Sequence, residues 1–459
     1  MVSDAAGGAR VAQAGRPEST AATMSSEEIA RLAKQHTLFS WSMQGSVDPI
    51  AIDRAEGVWL FTPEGRRILD FNSQLMSVNI GHGDRRVVEA ITRQATRLQF
   101  VQPAFVTEVR AQLGRKLAEI MPGDLDKVLF TLGGAEAVEN ALRIARHVTG
   151  RYKVLARYRA YHGATFGAMS LTGDPRRWAN EPGLVGVIRY PDTHRFGERD
   201  PRPVAESLQG LEDVVRYEGP HTIAAVFLET IVGTNGVLIP PDGYIQGVRQ
   251  ICDRHGILMV ADEVMAGFGR SGRWFAIQHW DTVPDLMTMA KGLTSSYLPL
   301  GAVAMRRHIA EKLDTMVFQG GLTYSSHPVS LAAALATIAV YEEDGLIERA
   351  AAMDPVMRSH HQRLAARHPS VGAHRNLGLF GIIDLVRSRE PYMPMTEFNG
   401  TSPEMAAIGR QLRERGLYTM ISANSIHTNP PLCISESELA QGFEILDGAL
   451  EIADRAVTG

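Results

Sequence analysis

From about residue 125 to 305, short apolar runs alternate with stretches of helical spacing. Residues 128–132, 153–158, 223–228, 257–261 and 286–290 are mostly Val, Leu, Ile, Met, Phe and Ala, without a polar residue at every second place. Such runs read as strands buried on both faces, and strands separated by helical patterns imply a parallel sheet covered by helices. The fold class predicted is α/β. Before this region, residues 25–36 have helical spacing, with Ser25, Ser26, Glu27 and Glu28 supplying a cap and first-turn acids. Residues 57–61 and 67–71, separated by Thr62-Pro63-Glu64-Gly65, read as a hairpin of a small N-terminal lobe. After it, an alanine-rich helix from Ser330 leads out of the large domain into further small-lobe elements.

Length and composition narrow this picture. A chain of 459 residues exceeds one ordinary core and predicts two domains. The formal charge of -4 gives no basic excess to hold nucleic acid. Cys252 and Cys433 lack Cys-x-x-Cys spacing, so neither a disulfide framework nor a metal site is expected, and a reducing cytoplasm fits. Residues 1–24 are rich in Ala, Gly, Ser and Thr and have no apolar core for a signal peptide or membrane anchor. They read as a disordered lead.

Candidate chemistry concentrates at two points. Residues 257–261 place Asp262 at the C-terminal end of a buried strand, the edge of an α/β sheet where ligands collect. An N-cap for the following turn is the plainer reading of the same carboxylate. The chain has six lysines, and Lys291 alone ends an apolar run, residues 286–290, and precedes a glycine. Its stem would be buried, which favours the neutral amine that attacks an aldehyde. Pyridoxal phosphate requires a lysine for its Schiff base and an anion that keeps its pyridine nitrogen protonated. Asp262 and Lys291 supply both. Gly133, Gly134 and Ala135 join the strand at 128–132 to a helix running to Arg146, and the free N–H groups of such a helix start hold phosphate. A dinucleotide fold would need Gly-x-Gly-x-x-Gly there, which this turn lacks.

Ala261-Asp262-Glu263-Val264 with Gly267-Phe268-Gly269-Arg270, then Lys291-Gly292-Leu293 and Leu298-Pro299-Leu300-Gly301, resembles the class III aminotransferases, the ω-amino acid and amine transaminases of the aspartate aminotransferase fold. The likeness extends from about Gly57 to Pro431. It implies a large domain, residues 86–335, around a mostly parallel seven-stranded sheet, and a small α+β domain built from residues 25–85 and 336–459. It implies pyridoxal phosphate as cofactor, a small amine donor and a carbonyl acceptor as substrates, and a homodimer or tetramer. Lys291 and Asp262 take the catalytic places. Gly133, Gly134, Ala135, Tyr161, His162, Glu229, Val264 and Thr323 take cofactor places, Tyr161 by stacking on the ring and Thr323 by reaching the partner chain's phosphate. His162 also reads as a plain loop histidine. Trp41, Met76, Tyr161, Met420 and Ser422 line the substrate pocket, although Trp41 reads equally as core. The chain departs from its relatives in three ways. Gly133 stands where a serine is usual, and Thr230 and Val232 replace a proline and a glutamine. No arginine occurs between Arg415 and Arg455, where many relatives carry the one that clamps a 2-oxo acid.

Overall fold

The computed structural model describes residues 24–180, 186–191, 193–194, 196 and 201–458. The lead expected at 1–24 thus lies outside them but for Met24. Two compact units are distinguished: an N-terminal one reaching to Arg54 and including Phe61–Arg66, and a second made of Ala55–Leu60 and the chain from Arg67 on.

In the first unit the expected helix is present as Ser26–His36, and Ser25 accepts a hydrogen bond from the Glu28 N–H at 3.2 Å. The Ser26 hydroxyl donates to Glu64 Oε2 at 2.6 Å, and the Arg54 guanidinium lies 3.7 Å over the Phe61 ring. Among the described residues Trp41 is 67% exposed, so it is not a core side chain there.

The second unit is organised around a seven-stranded sheet. Its strands are β1 (Leu125–Thr131), β2 (Lys153–Arg157), β3 (Val187–Tyr190), β4 (Ile223–Glu229), β5 (Leu258–Asp262), β6 (Leu286–Met289) and β7 (Gly301–Arg306), in the order β1-β7-β6-β5-β4-β2-β3. Only β7 runs against the rest, pairing antiparallel with β1 and β6. β4, β5 and β6 are buried at every residue, as their unbroken apolar runs require. Each Val, Leu or Ile so buried stabilises by roughly 1.5–3 kcal/mol.

Helix α1 (Gly134–Thr149) follows β1 and stops at Gly150, which takes the left-handed conformation. Helix α2 (Tyr244–His255) precedes β5 and also ends on a left-handed glycine, Gly256. The alanine-rich helix is α3 (Pro328–Glu343), opened by a proline in its first turn. Beyond it, Val371–Leu377, Phe380–Arg389 and Ser425–Thr428 form an antiparallel sheet with Ile421–Ser422. Where a two-stranded hairpin was expected, Trp59–Phe61 and Arg67–Asp70 are joined by Arg54–Glu56 and by Leu417–Tyr418, which pairs parallel with Arg67–Asp70. That last pairing brings together chain ends about 350 positions apart, which no local pattern encodes.

Candidate active site

Asp262 is the last residue of β5, 5% exposed, and stands in register beside Glu229, the last residue of β4. Its Oδ1 accepts from the Val264 N–H and the Thr288 hydroxyl, each at 3.1 Å, and its Oδ2 meets His162 Nδ1 at 2.7 Å. A carboxylate only accepts, so Nδ1 is the protonated nitrogen of that ring. The Asp262 side chain is thereby fixed, with Oδ2 still able to accept another hydrogen bond. Glu229 accepts from the Tyr161 N–H at 2.8 Å and from the Gly233 N–H at 2.9 Å. Burial raises the Glu229 pKa above the usual carboxylate value, with His162 opposing it.

Lys291 opens the turn after β6 in a left-handed conformation, φ 46°. That backbone is uncommon outside glycine and is worth noting at a reactive residue. Among the described residues its ammonium has no hydrogen-bonding partner. Burial draws its pKa down to about 8, against the pull of Glu229 and Asp262, with Arg176 and Arg270 adding to the fall.

The helix start is also placed. Gly133 caps α1 without a side chain, and the first intrahelical bond is Ala137 N–H to Gly133 carbonyl at 3.0 Å. A Cβ on Gly134 would come within 2.8 Å of Val264, and one on Gly163 within 2.5 Å of Ala135. These two glycines let the β5 end and the 161–163 loop close on the helix start. Tyr161 lies in that loop, and burial raises its hydroxyl pKa.

Asp262, His162, Val264, Glu229, Tyr161, Gly133, Gly134, Ala135 and Lys291 therefore converge at the C-terminal edge of β4 and β5. The substrate-side residues are more scattered. Met76 is buried in the core, and Met420 packs against it. Ser422 lines a cavity of about 350 Å³ together with Thr234, Asn235 and Asn424. Thr323 is exposed in a turn, and the neighbouring Ser325 hydroxyl donates to the Phe130 carbonyl at 2.7 Å. Trp41 belongs to the other unit.

Sequence reasoning missed two residues. Thr288 was legible as the one polar side chain in the run 286–289. Arg176 carried no local signal: it sits 15 positions beyond Tyr161 and lies with its guanidinium 3.5 Å over that ring. Arg270 is fully buried and donates to the carbonyls of Leu379 and Pro430, to the Ser73 hydroxyl and to Asn79 Oδ1. It pins the 73–79 loop.

The residues fit pyridoxal phosphate. A helix start with no side-chain cap suits the phosphate, a fixed carboxylate with spare capacity suits the pyridine nitrogen, and a desolvated lysine suits the aldehyde. The sequence model of the Aminotransferase class-III family matches residues 42–450. The chain belongs to the class III aminotransferases, which depend on pyridoxal phosphate, and its fold is that of the aspartate aminotransferase type. It is 35% identical to the omega-aminotransferase of Caulobacter vibrioides, over 88% of this chain and 94% of that one. With the putrescine–pyruvate aminotransferase of Pseudomonas aeruginosa it shares 34% identity, over 88% and 91%. The solved taurine:2-oxoglutarate aminotransferase of Bifidobacterium kashiwanohense, in complex with PLP and glutamate, superposes with a TM-score of 0.92 at 36% identity, covering 95% of this chain and all of that one.

Proposed function

We propose that this enzyme moves the amino group of a primary amine or ω-amino acid to a small 2-oxo acid, pyruvate first among them, by a ping-pong exchange. The observation that carries the reading is Lys291, desolvated and facing Glu229 and Asp262 at one sheet edge. Bound pyridoxal phosphate supplies an electron sink for the substrate's carbon–hydrogen bond. Lys291 would hold the cofactor, and its free amine would take the proton from the substrate carbon and return it, as base and then acid. Asp262 keeps the pyridine nitrogen protonated, and His162, Thr288 and the Val264 N–H keep Asp262 aimed. The N–H groups at Gly134 and Ala135 hold the phosphate.

Relatives named for putrescine and taurine support an amino group on an unbranched terminal carbon. Steady-state rates at several fixed concentrations of putrescine or 4-aminobutyrate, with pyruvate varied and alanine measured as product, test the proposal. Parallel double-reciprocal lines are expected, and converging lines would rule out the two-stage exchange. The arginine-free segment 417–429 favours a second reading, in which the acceptor is a bulky aldehyde. Under it pyruvate would saturate only at high millimolar concentration while the aldehyde saturates far lower.

A homodimer belongs to the same proposal. Phe105, Val106, Phe166 and Tyr324 expose large apolar side chains, which a second copy would cover, and Thr323 stands exposed beside Tyr324. Mixing a Lys291→Ala chain with a Thr323→Ala chain puts both lesions into one site of each mixed dimer and leaves the other intact. Activity is expected to recover toward about a quarter of normal in the mixture, the share set by random pairing and one good site in two. Mixed dimers without recovery would mean that each chain completes its own site.

A further inference from the structure

The segment in which relatives carry a carboxylate-clamping arginine has none here, yet the site is not without a cation. Arg176 is held beside the cluster by three sets of contacts. Its Nε donates to Asp174 Oδ2 at 2.7 Å, its Nη2 donates to Asp174 and to the Thr234 hydroxyl oxygen at 2.8 Å, and its plane rests on Tyr161. Asp174, itself buried, is held by the Asn235 amide at 2.9 Å and the Arg176 N–H at 2.9 Å. These contacts use Nε and Nη2. Nη1 keeps both hydrogens without an acceptor among the described residues, and the side chain is 29% exposed.

Thr234 accepts from Arg176 and so retains its own hydroxyl hydrogen to donate. It also lines the cavity shared with Ser422 and Asn424. Other arginines nearby are engaged: Arg270 as described, Arg375 by Asp384 and the carbonyls of Gly236 and Val237, and Arg159 by the Asn235 carbonyl at 2.6 Å. Arg176 lies 3.5 Å over the Tyr161 ring, the Tyr161 N–H donates to Glu229, and Glu229 stands beside Asp262, so Arg176 adjoins the cluster.

We infer that Arg176 Nη1 and the Thr234 hydroxyl together receive the carboxylate of a carboxylated substrate, replacing the clamp absent from residues 417–429. The inference rests on the proposed aminotransfer at this same site. A guanidinium already locked by Asp174 and Tyr161 loses little side-chain freedom when the substrate arrives. Only the Nη1 edge is offered, so the hold is by one charge-assisted hydrogen bond and one neutral one.

The test compares alanine with benzylamine, which has no carboxylate, as donors to the cofactor-loaded enzyme, following the half-reaction by the cofactor's absorbance. Arg176→Gln alone would strand the buried Asp174 carboxylate, so the double variant Asp174→Asn/Arg176→Gln is made beside it and beside Arg176→Lys. The ratio of kcat/KM for alanine over benzylamine is expected to fall roughly 10- to 100-fold in the double variant, the worth of a charge-assisted hydrogen bond. Propionate, an unreactive carboxylate, should lose calorimetrically measured affinity by a similar factor, and Arg176→Lys should recover part of it. Equal losses with both amines would overturn the inference and leave Arg176 as a positioning residue for Tyr161. An unmoved ratio would overturn it too. Should the unaltered enzyme transaminate neither amine, the functional proposal falls, and propionate binding still decides the role of Arg176.

Discussion

Replacing Lys291 with alanine is expected to lower turnover by on the order of 10⁴ or more while leaving the fold intact. A general base alone contributes roughly 10²- to 10⁴-fold, and the proposed function makes this lysine the cofactor's covalent anchor as well, so both losses would fall on one change. Borohydride reduction of the unaltered enzyme should fix the cofactor to the peptide containing Lys291 and to no other lysine. Label on another lysine would end the assignment. The pH dependence carries a second check. An amine whose pKa is near 8 is neutral in roughly one molecule in ten at pH 7, against roughly one in three thousand for an ordinary lysine. Capture of added pyridoxal phosphate by the cofactor-free protein should therefore climb between about pH 7 and 9 and then level. A rate still rising beyond about pH 10 would show an unshifted lysine. The same shift sets a sign for stability. The unfolded chain keeps this proton up to about 10.5 and the folded one only to about 8, so over that window the unfolded state binds more protons. Stability of the cofactor-free protein gains from this group as pH rises through the window, and the gain is absent below it.

Asp262→Asn is expected to cost roughly 10²- to 10³-fold in turnover, the scale on which removal of one preorganised charge contact in a desolvated site is felt. The amide keeps the shape of the carboxylate and can still accept from Val264 N–H and the Thr288 hydroxyl. It cannot supply the negative charge that, in the proposed function, holds the pyridine nitrogen protonated. Cofactor should remain bound through Lys291 and the helix start, with its absorbance responding to pH differently from the unaltered enzyme's. The His162→Ala variant should show a smaller fall of the same kind, because it frees the Asp262 Oδ2 atom that His162 Nδ1 now fixes at 2.7 Å. Near-normal turnover of Asp262→Asn would refute the pairing with the ring nitrogen.

Much of this site was legible one residue at a time. Unbroken apolar runs can lie only in a sheet covered on both faces, so the strands ending at Glu229 and Asp262 and the run ending before Lys291 announced themselves, as did the glycine turn that opens α1. The family motif followed from the same positions. What the chain could not state locally was which distant groups would meet. His162 reads alone as a loop histidine, and only the packing of the 161–163 loop against the end of β5 makes it the partner of Asp262. Arg270 and Arg176 are both arginines near a glycine or proline, with nothing in their neighbours to tell them apart. The tertiary structure encloses the first among four acceptors and leaves the second with an open edge over Tyr161. The sequence by itself determined the fold, the family and the places of Asp262 and Lys291 at the ends of their apolar runs, because those depend on periodicity and residue type. The folded chain decided which arginine is spent on holding loops together and which remains for a substrate, because a guanidinium's role depends on how many acceptors surround it.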